Sequence, residues 1–371
     1  MLCFLTFSAN LQQLNPPINM TPRHIVVYGG QYGSEGKASA AEHWAKKLQA
    51  EGHRVVVIGE NSPNSGHTSS LGATKNIPAS SFWADYIILG PDSVIDPEVI
   101  LKDWHTVGEK PIFVHEHAAL LHIDQKKEEL DLVARISSTG SGSGMARNRK
   151  FIQRQKDAVV RDYKFPAGIT VVSTDEYQAI LQKAYHGAIL MECSQGAMLD
   201  TNFGVFPYVT SRTTLPRAAV ERNGLGWINW TFAGVYRTYP IRTGGPSGPT
   251  GGAELTWEAL GRPKEIATVT KRIRRIFEFS AKDFAQSLLL TRPDIIMFSF
   301  LDYIGIDDVT NPVGFQQWLE FHEITEVDRY PVWVSNSTGT FVKYSPPVKP
   351  HFIYPRSLAM AEAMAEAMLN A

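Results

Sequence analysis

The sequence predicts an α/β protein with a mostly parallel central sheet flanked by helices. After Met20, short β-branched runs alternate with helix-length segments. The runs are continuously apolar instead of alternating, as strands covered on both faces are. Glycine- or serine-rich loops interrupt the pattern at Gly29–Gly36, Ser137–Gly144 and Thr243–Gly252.

In chain order, His24–Tyr28, Arg54–Ile58, Tyr86–Leu89, Ile112–Val114, Ile169–Val172, Ile189–Cys193, Asp294–Phe298 and Val332–Val334 read as buried strands. Ligands of such sheets sit beyond the carboxyl ends of the strands, so the loops that follow strands are where chemistry is sought. None of the three glycine- or serine-rich loops resembles a flexible linker between separate cores, which makes 20–371 one domain. The polar, proline-containing stretch Asn10–Pro17 leaves residues 1–19 as an extension outside the fold. At the other end, Met360, Met364 and Met368 recur at helical spacing within Leu358–Leu369, a pattern expected of a docking face.

The chain has 371 residues, 43% hydrophobic and 20% charged, enough to bury a large core. A formal net charge of -1 leaves no electrostatic footprint for nucleic acid or an anionic membrane, so small anions must be held by local clusters. No apolar run approaches the roughly 20 residues that span a bilayer. Two distant cysteines, Cys3 and Cys193, show neither a disulfide framework nor a zinc spacing and fit a reducing cytoplasm.

The first strand runs directly into Gly29-Gly30-Gln31-Tyr32-Gly33-Ser34-Glu35-Gly36-Lys37, followed by a helix from about Ala38 to Gln49. Glycines let backbone N–H groups crowd around phosphate oxygens, the helix start favours negative charge, and a lysine adds a point cation. The loop is not a Walker A motif, because Ala38 stands where the magnesium-binding hydroxyl belongs. An ordinary tight strand-to-helix turn is the plainer reading of the loop alone. The second strand leads to Asn64-Ser65-Gly66-His67-Thr68. A histidine at a strand end can steady a developing oxyanion near neutral pH, although a lone histidine is more often structural.

Together these two segments resemble the opening of the adenylosuccinate synthetases. The resemblance continues in order through Ser138-Thr139-Gly140-Ser141-Gly142, Glu192-Cys193-Ser194-Gln195-Gly196, Phe206-Pro207-Tyr208-Val209-Thr210-Ser211, Arg242-Thr243-Gly244, Thr270-Lys271-Arg272-Ile273-Arg274-Arg275, Leu301-Asp302 and Ser337-Thr338-Gly339. It implies a P-loop-NTPase-like fold and a C–N ligase. In that family an NTP γ-phosphate passes to the purine O6, and L-aspartate then displaces the 6-phosphoryl group.

Matching the motifs, Gly30, Gln31, Gly33, Glu35, Gly36 and Lys37 would hold the NTP phosphates with Thr68 nearby, while Asp302, Ser337 and Gly339 would meet the rest of that nucleotide. Ser34 and the Gly66 carbonyl would hold Mg²⁺, and Ser34, His67 and Lys37 make up the implied catalytic group. Ser34, Asn64, Ser138, Thr139, Gln195, Thr210 and Arg242 match positions around the purine monophosphate. Arg147 joins them, with Arg149 and Arg154 as alternatives for an arginine that reaches across a homodimer. Thr270, Arg272 and Arg274 match the aspartate clamp, where a guanidinium fork fits a carboxylate bidentately; a solvated charged helix face is the plainer reading of Arg275.

Two departures shape the expected substrates. The family's catalytic aspartate is replaced by Ser34, which leaves room beside N1, where guanine carries a 2-amino group that hypoxanthine lacks. A similar change marks the viral and archaeal relatives that make N6-succino-2-amino-2′-deoxyadenylate from dGMP, which would place the chain in a host cytoplasm if viral. Phe300 stands where the family's guanine-reading lysine precedes Leu-Asp, which favours ATP or dATP as the donor and leaves GTP open. The expected substrates are therefore dGMP or GMP, L-aspartate and an NTP; Glu35 is the nearest carboxylate to serve as base and equally matches a family position with a structural role. A conventional synthetase acting on IMP with GTP, and a catalytically silent nucleotide-binding protein, are the rival readings.

Overall fold

The computed structural model describes residues 21–346. The N-terminal extension and the methionine stripe of Leu358–Leu369 lie outside the described residues. Ten strands form one sheet: β1 (His24–Gly29), β2 (Val55–Gly59), β3 (Tyr86–Leu89), β4 (Ile112–His115), β5 (Ile169–Val172), β6 (Ala188–Gly196), β7 (Thr231–Arg237), β8 (Ile295–Ser299), β9 (Val332–Val334) and β10 (Val342–Lys343). Their order is β10-β9-β8-β7-β1-β6-β2-β3-β4-β5, and every neighbouring pair is parallel except β9 with β10.

The predicted strands are all present with ends displaced by at most one residue, except that β6 runs three residues beyond Cys193 to Gly196. β7 and the short edge strand β10 are the two that the sequence does not announce, although β7 lies beside β1 near the middle of the sheet. The β7 run Thr-Phe-Ala-Gly-Val-Tyr-Arg is broken by Gly234, which is paired with Tyr28. A Cβ at Gly234 would come within 2.7 Å of the Tyr28 hydroxyl, so packing against an aromatic neighbour removes the side chain that would have marked a strand.

Alternate residues of the sheet enter opposite cores. Ile25, Val27, Val55, Val57, Ile87 and Leu89 pack on one face beneath helix α1 (Lys37–Ala50), which contributes Ala41, Trp44, Ala45 and Leu48 at helical spacing. Val26, Tyr28, Val56, Ile58 and Ile88 enter the other. Burying each such branched or aromatic side chain contributes roughly 1.5–3 kcal/mol, which is why the runs are apolar throughout.

The loops at the carboxyl ends of β2, β3 and β6 are locked by a buried ionic cluster. Asp92 Oδ2 accepts from Arg212 at 2.7 Å and Arg222 at 2.8 Å, and Glu60 accepts from the same two arginines at 3.1 and 3.0 Å. Arg147 donates to the Asp92 carbonyl at 2.8 Å and to Ser62 Oγ, and Arg212 donates to Ser194 Oγ at 2.6 Å. Burial alone would raise the Asp92 pKa, but the three guanidinium groups hold it down at about 2.

Asp92→Asn leaves buried arginines short of countercharge and is expected to destabilise the fold by about 3–5 kcal/mol in denaturant titration. Because the folded carboxyl titrates below its ordinary 3.8, its stabilisation is present above about pH 4 and is lost as pH falls toward 2. The variant should therefore lose less stability than the parent across that window.

Candidate functional site

The loop after β1 is shaped from below by Glu35, a side chain with no exposed surface. Its Oε1 accepts the backbone N–H of Gly33 at 2.7 Å and of Gln31 at 3.2 Å, and its Oε2 accepts Lys37 Nζ at 2.7 Å. Gly33, Ser34 and Gly36 take the left-handed conformation, at φ of 94°, 57° and 88°. Gly36 begins α1 with no side-chain cap and no acidic residue in the first turn. The first N–H groups of the helix thus remain available to an anion, as a phosphate cradle requires.

Three residues of the cradle are engaged by the protein itself. The Glu35 carboxylate is consumed by its own loop and by Lys37, so it is unavailable as a base in the cleft. The Gln31 amide is tied to the backbone of Arg237 through Nε2 at 3.1 Å and Oε1 at 2.9 Å, leaving its side chain no ligand contact. Gly30 faces the Tyr236 ring and donates to the Val235 carbonyl at 2.9 Å, away from the cleft.

A cleft of about 370 Å³ opens over this loop and meets a second of about 280 Å³. Gly33, Ser34, Gly36, Lys37, Gly66, His67, Thr68, Thr270, Arg274 and Ser337 line the larger one. Ser138 and Thr210 line the smaller one, and Asn64, Thr139, Gln195 and Arg242 line both. Tyr32 stands at the junction, its hydroxyl donating to Asp283 at 2.6 Å and its ring 4.9 Å from the Arg242 guanidinium. Arg242 is anchored on the carbonyls of Tyr208 and Pro249, both at 2.8 Å, and burial lowers its pKa to about 10.

His67 is buried and held from behind. Its Nδ1 lies 2.6 Å from Glu192 Oε1, while Glu192 Oε2 accepts from Ser80 N at 3.0 Å and Ser80 Oγ at 2.7 Å. Burial would raise the Glu192 pKa, but the bond and charge of His67 and the Ser80 donors hold it below the ordinary carboxylate value. Nε2, the other ring nitrogen, is buried without a protein partner among the described residues. A carboxylate behind one nitrogen and an unpaired second nitrogen at the cleft wall is the arrangement of an oriented acid.

The sequence reading lacks this use of Glu192 and that of Glu129, which lines the smaller cavity and accepts the N–H groups of Gly142, Gly144 and Met145 at 2.8, 2.7 and 3.3 Å. A signal for Glu192 is present: a carboxylate inside the apolar run Ile189–Cys193 must find a partner.

Other predicted residues sit beside the cleft. The Asp302 carboxylate accepts from Ser337 N and Oγ, both at 2.7 Å, and its carbonyl accepts from Arg262. Gly339 packs on Ser39, and Arg272 reaches Ser137 Oγ and the Gly244 carbonyl at 3.4 and 3.5 Å. Arg147 is absent from both linings because its guanidinium is buried in the Asp92 cluster. Arg275 lies on a short antiparallel strand, Arg275–Phe277, paired with Glu254, and not on a helix.

A parallel sheet whose strand ends carry a phosphate cradle, an oriented histidine and an arginine-bearing loop defines a nucleotide-dependent enzyme. The adenylosuccinate synthetase family model matches residues 152–331. The N6-succino-2-amino-2′-deoxyadenylate synthase of Vibrio phage phiVC8 is 31% identical over 323 residues, which cover 81% of this chain and 90% of that protein. The solved succinoaminodeoxyadenylate synthetase of cyanophage S-2L, bound to dGMP and dATP as an energy donor, is similar at a TM-score of 0.73 and 28% identity, over 86% of this chain and 94% of that one. Adenylosuccinate synthetase from Plasmodium falciparum shares the fold at a TM-score of 0.62 and 20% identity, over 76% and 78% of the two chains. The chain belongs to the adenylosuccinate synthetase family and is a carbon–nitrogen ligase.

A methyl group at Gly196 would lie 2.3 Å from the Gln31 carbonyl, 2.5 Å from Glu35 Oε1 and 2.6 Å from Gly33 N. Gly196→Ala therefore has to push the cradle open, and overpacking of this kind costs about 1–3 kcal/mol. Calorimetric titration should show NTP affinity weakened by about tenfold or more.

Proposed function

We propose that this enzyme joins L-aspartate to C6 of dGMP at the expense of ATP or dATP, giving N6-succino-2-amino-2′-deoxyadenylate. The observation that carries the reading is Ser34. It is exposed in the larger cavity at the position where the family resemblance puts an aspartate, and among the described residues no carboxylate lines that cavity. The space left by the shorter side chain suits a base with a 2-amino group. The ligands in the cyanophage structure, dGMP and dATP, support the same pairing.

In this reading the NTP phosphates lie on the Gly33–Gly36 backbone, and Lys37 turns from Glu35 toward them. The γ-phosphoryl group passes to O6 and leaves the nucleoside diphosphate behind. The N1 proton goes to solvent, because among the described residues no carboxylate lines the larger cavity. The aspartate amine then attacks C6, expels phosphate and gives its proton to solvent. His67 directs Nε2 to O6, because the Glu192 carboxylate bound at Nδ1 fixes the orientation of the ring. Asn64, Ser138, Thr139, Thr210 and Arg242 take the monophosphate side, with Gln195 against the base. Arg272, Arg274 and Thr270 hold the aspartate carboxylates.

Among the described residues no group of three or more acidic, histidine or cysteine side chains is gathered to hold a metal. The Ser34 hydroxyl and the Gly66 carbonyl are neutral oxygen donors, which fits Mg²⁺ held chiefly by nucleotide phosphates. When bound, it supplies charge neutralisation on those phosphates.

A homodimer belongs to the reading. Arg147 is buried and Arg149 is paired with Asp157 at 2.5 Å, so Arg154, exposed and in the left-handed region, is the arginine assigned to a partner's monophosphate.

Mass spectrometry of parallel reactions with dGMP, GMP or IMP, each with aspartate, Mg²⁺ and ATP, dATP or GTP, tests the assignment. A succinylated product is expected from dGMP with an adenine donor. Succinylation of IMP alone would reassign the chain to the conventional reaction. Replacing His67 with alanine should lower kcat by about 10²–10⁴-fold in the same assay, and unchanged turnover removes it from the mechanism.

A further inference from the structure

Arg237 ends β7 with no exposed side-chain surface, although it belongs to neither cavity lining. Its Nη1 donates to the Ser34 carbonyl at 3.2 Å, and its Nη2 lies 2.5 Å from Glu265 Oε1. Its guanidinium stacks 4.0 Å from the centre of the Phe300 ring, which forms a wall of the larger cavity. Glu265 in turn accepts from Arg274 Nη1 at 2.8 Å and from the Tyr303 hydroxyl at 2.8 Å, and its carbonyl accepts the Arg274 N–H at 2.9 Å. One chain of charge, fully buried at Arg237 and partly buried at Glu265 and Arg274, thus runs from the phosphate loop to the cleft wall.

A guanidinium removed from water is tolerated only where a countercharge and hydrogen bonds replace the lost hydration. Burial alone would raise the Glu265 pKa, yet Arg237 and Arg274, with the Tyr303 hydrogen bond, hold it at about 2, so the carboxylate is charged at any working pH. Neither end of the chain can move without disturbing the other. The Ser34 carbonyl shares Arg237 with Glu265, and Arg274 shares Glu265 with Arg237.

We propose that Arg237 and Glu265 are a positioning pair that couples the nucleoside-triphosphate loop to the arginine receiving the carboxylate substrate, so that the two ligands bind cooperatively. Ordering of Ser34 and its loop by the NTP fixes Arg237, which fixes Glu265 and presents Arg274. Reciprocity requires aspartate to tighten NTP binding by the same factor. The inference rests on the reading of Arg274 as part of the aspartate clamp.

The test measures the aspartate KM at subsaturating and saturating NTP for the parent, for E265Q and for E265D. In the parent the aspartate KM should fall about fivefold or more as NTP saturates, the lower end of ordinary coupling. E265Q removes the charge and keeps the shape. It should raise the aspartate KM about tenfold through loss of a charge-assisted bond, abolish the NTP dependence and leave the dGMP KM within about twofold. E265D should restore part of the dependence. Should E265Q fail to fold, Y303F removes one hydrogen bond to the same carboxylate and reads the same split at smaller size.

A persistent NTP dependence in E265Q, or equal rises in all three KM values with a lowered Tm, overturns the proposal. The purine used is whichever of dGMP, GMP or IMP the parent turns over, so a wrong purine assignment leaves the coupling measurement intact. If none is turned over, the functional reading fails, and titration of ATP with and without aspartate still decides the coupling: unchanged affinity overturns it.

Discussion

A single carboxylate that never meets solvent sets the geometry of this site. Glu35 fills the space that Gly29 and Gly196 leave open; a Cβ on either would come within 2.6 Å of it. It gathers two backbone N–H groups and the Lys37 ammonium around itself. A buried carboxylate is strongly unfavourable without such donors, so the loop and the charge stabilise each other. The consequence is a preformed turn in which the remaining N–H groups and the start of α1 face the cleft. Lys37, the one cation of the loop, is held in reserve on an internal anion.

The same device recurs on either side of the cleft. Beneath the smaller cavity, Glu60 and Asp92 bind Arg147, Arg212 and Arg222, and so fix the loops that carry Asn64, Gln195 and Thr210. Beside the larger cavity, Glu265 binds Arg237 and Arg274. Apolar side chains in these places would be at least as stable, since desolvation offsets much of the Coulombic gain. What the ion networks add is direction: a guanidinium fork specifies where each partner lies, and the loops have few apolar side chains with which to fix themselves.

These carboxylates explain which parts of the molecule were legible from sequence. The strands were, because continuous burial writes itself as continuous apolar runs, and Gly234 in β7 marks where that rule fails. The glycine loops were, because left-handed backbone and close approach leave a local signature. Glu192, Glu129 and Glu265 were not. His67 and Glu192 are separated by 125 positions, and Glu265 meets Arg237 across 28. No spacing rule reaches that far, so a partner of this kind emerges only when topology brings the strand ends together. Arg147 shows the converse, since a basic residue near a ligand loop reads as a ligand contact until its buried acid is seen.

Ser34 ties the backbone argument to the choice of substrate. At φ 57° it occupies a conformation that costs a residue with a Cβ about 1 kcal/mol, and glycine would adopt it freely. The backbone alone therefore favours glycine, while the loop's phosphate geometry needs only the turn. A hydroxymethyl group held there against the local preference has to act through its oxygen or its size. It adds no negative charge to a cavity that, in the proposed reaction, would admit a triphosphate, a monophosphate and a dicarboxylate together. With the nearest carboxylate already spent inside the loop, the cavity presents amide, hydroxyl, imidazole and guanidinium donors, and in the proposed reaction the volume left beside Ser34 sorts the base.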